Sequence, residues 1–239
     1  EALNEGNRAV VAEIAPMRAQ LEDSIASMEM LQSSLSDNDD KEAASQVVTA
    51  ARSRLNMLDA GVNIIEESLM ATEAFLKARS GWNAVINADA AIREATALAE
   101  EMSKENILSS QTKGNEALAF LEEAQQDFSQ AEAAYPGLDL AAFEAYVVKR
   151  MESQQAALAA DDAYLSRNKE ELEAQNSRYN ALEEEAAALA QELGEDDPEQ
   201  IVALRFYKEI EADQGAYEAE RLKAGNADAF LREYLGTAS

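Results

Sequence analysis

The sequence predicts an all-α fold, an elongated antiparallel helical bundle with coiled-coil-like hairpins and six or seven helices. Three observations carry that expectation. Alanine supplies about a fifth of the 239 residues, while glycine occurs nine times and proline three, so strong helix formers dominate and breakers are scarce. Apolar residues recur at alternating steps of three and four along most of the chain, the period of a helix face. The β-branched clusters at 47–49 and 146–148 both lie inside that periodicity, so no strand is expected.

The first helix is expected over 7–35. Its stripe reads Val10, Ile14, Met17, Leu21, Met28, Leu31 and Leu35, with Ser24 at the one polar position. Pro16 falls inside the stripe and should kink the helix or mark its true start. The acidic stretch at 36–40 then forms a break. Asp39 with Glu42 reads as a capping box, the Asp side chain accepting from otherwise unpaired amides. Asp37, Asp39 and Asp40 do not make a calcium loop, because an EF-hand starting at Asp37 would need glycine at Glu42 and glutamate at Val48.

The second helix has the cleanest seam: Val48, Ala51, Leu55, Leu58, Val62, Ile65, Leu69, Thr72 and Leu76. Ser80-Gly81 is expected to interrupt it. A weaker amphipathic helix follows from Trp82 through Val85, Ile86, Ile92 and Leu98 to Met102, with Trp82 as a core anchor at the junction. Residues 103–115, polar and containing Gly114, read as a connector. Leu118, Leu121, Phe128 and Tyr135 then face inward from a further helix, which ends at Pro136-Gly137, the sharpest punctuation in the chain. That dipeptide is the expected boundary between an N-terminal part, 1–136, and a C-terminal part, 137–239.

Asp139 is expected to cap the next helix, with Leu138 stapled onto Phe143. From there neither Gly nor Pro occurs until Gly194, which suggests one long helix. One set of its seam positions is Leu158, Leu165, Leu172, Tyr179, Ala186 and Leu193. The alternate set is Asp161, Asn168, Gln175, Leu182 and Leu189, and its first three members are polar. Three buried polar residues in succession would cost a coiled coil too much. Asp161, Asn168 and Gln175 therefore mark an exposed stretch, or a row that lines something specific. Asp197-Pro198-Glu199-Gln200 is a strong helix start, with the cap at Asp197 and proline at the first helical position. Ile201, Leu204, Tyr207, Ile210 and Tyr217 line that helix to about Gly225. Asn226 is expected to cap a final short helix carrying Phe230, Leu231, Tyr234 and Leu235.

Ala124, Phe128, Ala131 and Pro136 have the spacing of the second helix of a tetratricopeptide unit, which this fragment of about thirteen residues resembles. The first-helix half is missing across Leu108 to Asn115. Thirty-four residues further on, Leu158, Asp162 and Leu165 do not match. No repeat array is expected.

Chemistry is limited by what is absent. There is no histidine and no cysteine, which removes Ser-His-Asp and Cys-His nucleophile systems, thiolate redox chemistry and the usual zinc, haem and iron–sulfur ligands. Forty-seven acids against 20 bases give a net charge of −27, which repels phosphate backbones and anionic lipid. The charge is spread evenly: net −7 over each of 1–40, 41–137 and 138–193, and −6 over 194–239. Acidic pairs such as Glu66-Glu67 and Glu183-Glu184-Glu185 read as solvated helix faces, not as the carboxylates of a glycosidase. No catalytic residue, metal ligand or cofactor is expected.

The expected function is a non-catalytic helical interaction or spacer module with a protein partner, as monomer or dimer, and no nucleic acid. Membrane insertion by this segment is not expected, since no run approaches a membrane span. The chain begins at Glu1 without an initiator Met, and it has no cysteine, as in a segment behind a secretion signal or lipoprotein anchor. An extracytoplasmic location is the expectation, with the cytoplasm as the alternative. Two other functions fit the sequence: a small-ligand-binding helical bundle using Asp161, Asn168 and Gln175, and an intracellular coiled-coil adaptor dimerising through the seam from Val48 to Leu76.

Overall fold

The computed structural model describes residues 2–194 and 197–237, and these are helical almost throughout, with no strand among them. The helices are α1 (Ala2–Ser34), α2 (Asn38–Glu100), α3 (Lys104–Ala134), α4 (Ala141–Leu165), α5 (Lys169–Leu193) and α6 (Pro198–Tyr234). Their ends follow local chemistry. Asp37, not Asp39, caps α2: its Oδ1 accepts from the amides of Asp39 and Asp40 at 2.8 and 3.3 Å. Ser103 Oγ accepts from the Asn106 amide to start α3. Asp197 Oδ1 accepts from the Gln200 amide at 2.7 Å, ahead of Pro198 at the first position of α6, as the sequence indicates. At Tyr135-Pro136-Gly137-Leu138 the Leu138 amide donates to the Tyr135 carbonyl and Gly137 takes φ +80°, the arrangement of a type II turn. The Asp139 carboxylate accepts from Ala141, at the very start of α4, but Leu140 occupies the cap position itself.

Several expected interruptions are absent, and each has a packing reason. α2 runs straight through Ser80-Gly81. Gly81 is a place of close approach: a Cβ there would lie 2.8 Å from Phe128 Cε1 and 3.2 Å from the Ala124 carbonyl. Gly114 lies inside α3, not in a connector, where a Cβ would meet Gln154 Nε2 at 2.4 Å and Leu158 Cδ2 at 2.8 Å. α1 continues across Pro16, and Ala12, whose carbonyl loses its donor, is exposed and open to hydration. α6 passes Gly225 and Asn226 without a break and ends in a Schellman motif with Gly236 at φ +67°.

The opposite error occurs at 166–168, where the expected long helix divides into α4 and α5. Arg167 takes φ +60°, its amide donates to Tyr164, and the Asn168 amide reaches back to the Ala163 carbonyl. These are the bonds of a Schellman motif built without glycine. Asn168 then caps α5, its side chain accepting from Glu171.

The chain divides into two compact units, Glu1–Leu69 with Phe206–Ser239, and Met70–Arg205. Pro136-Gly137 falls inside the second unit, between α3 and α4. In the first unit, Arg18–Asp59, Glu29–Arg52 and Gln32–Lys41 pair α1 antiparallel with α2. Asn63–Asp213, Arg54–Asp228 and Asp40–Tyr234 pair α2 antiparallel with α6. Glu220 on α6 adds a further polar tie: Lys223, Ser53 and Asn56 hydrogen-bond its carboxyl and hold it below the usual carboxylate range.

In the second unit, Lys77–Asp127 and Glu94–Lys113 join α2 to α3. Ser110–Asp161 and the approach of Gly114 to Gln154 join α3 antiparallel to α4, and Lys149–Glu185 with Arg150–Glu183 joins α4 antiparallel to α5. The deepest positions are occupied mostly by alanine. On α2 these are Ala71, Ala74, Ala78, Ala84, Ala88, Ala91 and Ala95, with Leu76 left exposed. Small side chains let helix backbones approach, and the larger aliphatic residues pack along the flanks. On α3 the buried face reads Ile107, Ser110, Gly114, Ala117, Leu121, Ala124, Phe128 and Ala131, an unbroken three-four series. Trp82 packs edge-on against Phe143 at 5.6 Å, and Phe128 meets Phe143 at 5.9 Å, so the tryptophan is a core anchor.

Candidate functional site

The break at 166–168 separates the polar row read from the sequence. Asp161 stays on α4, whereas Asn168 caps α5 and Gln175 lies one and a half turns into it. Gln175 Nε2 donates to Glu171 Oε1 at 2.7 Å, and its own buried Oε1 has no partner among the described residues. Asn168 lines a shallow hollow of about 460 Å³ with Lys104, Tyr164, Arg167 and Leu172. Asp161 lines a different cavity of about 230 Å³, and Gln175 lines neither. The three residues therefore do not form one site.

Asp161 is the member with unusual surroundings. It is 8% exposed and receives a hydrogen bond from Ser110 Oγ at 2.8 Å. Burial raises its pKa against the opposing effect of Ser110, with a further push from neighbouring Asp162. The cavity beside it is bounded by the C-terminal end of α2, by α3, by α4 and by α5. The last turn of α2 is held there by Met102, at φ +51°, whose carbonyl accepts from the Tyr164 hydroxyl. Tyr179 on α5 lies at the same cavity. Burial raises its phenol pKa, and the Glu183 carboxylate adds to the effect.

A second buried constellation escaped the sequence reading. Arg150 on α4 is 9% exposed, with Nη1 at 2.7 Å from both Glu183 oxygens on α5 and Nη2 at 2.6 Å from Asp89 Oδ1 on α2. Ser153 Oγ also donates to Glu183. Burial alone would lower the Arg150 pKa, but Asp89 and Glu183 overcome it and the net direction is upward. A signal existed at Arg150, which interrupts the inward series of α4 between Val147 and Ala156, whereas Glu183, expected on a solvated face, turns inward to pair with it. Tyr146 packs close by, its phenol pKa raised by burial and by Asp89. The one hydroxyl beside a carboxylate, Ser153, is 1% exposed and donates to a Glu183 already held by Arg150, and a single guanidinium faces two carboxylates across three helices. Its geometry suits clamping α4 between α2 and α5.

Among the described residues no group of three or more acidic side chains is placed to hold a metal ion, and no helix is long and apolar enough to cross a membrane.

The outer surface carries its own pattern. On α1 the inward residues are Val11, Ile14, Leu21, Ile25 and Met28, so Ile14, Leu21 and Met28 of the sequence seam face inward as expected, while the half of the seam at 10, 17, 24 and 31 is displaced by one position. Val10, Met17 and Leu31 are consequently exposed, at 45, 58 and 65%, in a row of seven-residue spacing that includes Ser24. Leu204 and Tyr207 on α6, expected inward, are exposed as well.

No family model, curated protein or solved structure matches this chain.

Proposed function

We propose that this chain is a non-catalytic helical interaction module, whose first unit recognises a helical protein partner along α1. The observation that carries the reading is the exposed row Val10, Met17 and Leu31. Heptad spacing is what a second helix reads when it packs alongside, and here the row faces solvent while the neighbouring Ile25 is buried and Val11, Ile14, Leu21 and Met28 are half-buried. The even acidity of the chain supports a neutral or basic partner over a second copy, since two copies at −27 repel each other. The buried charges of the second unit fit the same reading, as they tie helices together and leave a scaffold that holds its surface in place. An extracytoplasmic setting, as part of a surface or lipid-anchored protein, goes with this proposal and is supported by the absence of cysteine.

The test is a photo-crosslinking residue introduced at Met17 or Leu31, and at exposed Glu170 as a control, with the protein in its native host. Discrete adducts from positions 17 and 31 but not from 170 are expected. Adducts of equal yield from all three positions, or none from 17 and 31, would refute the proposed face.

A further inference from the structure

The cavity beside Asp161 contains polar groups that the packing leaves unused. Gln154 is 3% exposed, and its side-chain amide makes no hydrogen bond among the described residues. Asp161 has Oδ2 engaged by Ser110, while Oδ1 has no hydrogen-bond partner among the described residues. Both residues line the cavity, so these groups are open to hydrogen-bond whatever fills it. Much of the wall is carbon, from the methyl groups of Ala95, Ala99, Ala157 and Ala160 and the side chain of Met102, with Thr96, Asn176 and Tyr179 adding polar groups. No lysine or arginine lines the cavity, and Glu100 adds a second carboxylate. At about 230 Å³ it exceeds the roughly 150 Å³ known to hold a benzene ring in a protein interior, so it suits a body of about ten non-hydrogen atoms.

We propose that this cavity binds a small primary amine with a compact apolar body, its ammonium group donating to Asp161 Oδ1 and to the Gln154 carbonyl oxygen. An ammonium ion brings three donors and no acceptor, which suits a lining that has the Asp161 and Glu100 carboxylates and the Gln154 carbonyl but no lysine or arginine. Its charge offsets the desolvated carboxylate, and the alanine walls take up the carbon body. Neutral and anionic ligands of the same shape lack one or both of these features. The proposal is independent of the α1 face, because it concerns the second unit alone.

Isothermal titration calorimetry with 2-phenylethylamine tests it, using 2-phenylethanol and 3-phenylpropionate as the neutral and anionic counterparts. The amine is expected to bind with a Kd of about 1 mM or tighter. It should bind at least tenfold more tightly than the alcohol, with no saturable heat from the acid. Asp161→Asn should weaken the amine at least tenfold. Ala157→Leu, which fills the cavity, should abolish binding with the far-ultraviolet circular dichroism unchanged. Absence of saturable amine binding, equal affinity for amine and alcohol, or undiminished binding by Asp161→Asn would each overturn the proposal, the first leaving a cavity that holds only water.

Discussion

Gly81 sits in the middle of α2 with a buried ring against it, and Gly81→Ala should therefore do the reverse of what glycine replacement usually does in a helix. In an open helical position the change stabilises by about 0.8–1 kcal/mol. At Gly81 the new methyl would stand 2.8 and 2.9 Å from Phe128 Cε1 and Cδ1 and 3.2 Å from the Ala124 carbonyl oxygen. Phe128 is fully buried and held by Phe143, so the ring has no space to swing into, and the carbonyl belongs to the backbone of α3. Overpacking of this kind costs about 1–3 kcal/mol, which leaves a net loss of roughly zero to 2 kcal/mol. Gly61, on the same helix, has nothing within 4 Å of a built Cβ, and Gly61→Ala should gain about 0.5–1 kcal/mol. Chemical denaturation followed by circular dichroism at the helical band separates the two. The midpoint should fall or stay level for Gly81→Ala and rise for Gly61→Ala. If Gly81→Ala raised the midpoint as much as Gly61→Ala does, α2 would not lie against Phe128, and close approach through small residues would be refuted.

Further outcomes follow from the same contacts. Arg150→Ala strands the Asp89 and Glu183 carboxylates, whose side chains are about 30% exposed, and should cost about 2–3 kcal/mol by thermal or chemical denaturation, less than the 3–5 kcal/mol of a fully buried pair. Arg167→Gly relieves a left-handed residue in the Schellman turn and should stabilise by about 0.5–1 kcal/mol, whereas Asn168→Ala removes the cap of α5 and should cost about 1 kcal/mol. Asp161→Asn keeps an acceptor for Ser110. Since folding raises the Asp161 pKa, the folded chain holds that proton to higher pH than the unfolded chain does, and the charged form lowers stability as pH rises through the folded value. Asp161→Asn should accordingly raise the melting temperature near neutral pH and change it little in acid below the ordinary carboxylate range.

The sequence made the fold class legible, along with some ends of helices. Scarcity of Gly and Pro, the Asp197-Pro198 start and the Pro136-Gly137 turn all act locally, and local signals can be read without knowing the partners. The seam of α5, from Leu172 through Tyr179, Leu182 and Ala186 to Leu193, was legible for the same reason. What failed depended on the neighbouring helix. Gly81 and Gly114 look like breaks unless Phe128 and Gln154 are known to press against them. Arg167-Asn168 gives little warning of a helix end, because the left-handed position lacks the usual glycine. On α2 the large aliphatic residues attract attention while alanine marks most of the deepest contacts, and on α1 half of the seam, at 10, 17, 24 and 31, was placed one step away from Ile25 on the buried line. Within the candidate site, Asp161 was singled out for being polar at a seam position, and it does line a cavity. Asn168 and Gln175 were grouped with it only by assuming an unbroken helix, whereas Gln154, seven residues before Asp161 on the same row and lining the same cavity, was left out.

The register of α1 underlies the proposed interaction face, and the absence of native cysteine makes it directly measurable. Ser24 and Ile25 are adjacent, yet Ser24 is exposed and Ile25 is 7% exposed. Thiol-labelling rates of the single-cysteine variants Ser24→Cys and Ile25→Cys, measured in the native state, decide which row faces water. Rapid labelling at 24, matched by Met17→Cys and Leu31→Cys, with strong protection at 25, is the predicted result. Protection at 17, 24 and 31 with rapid labelling at 25 would place the exposed row inside the bundle and contradict the account.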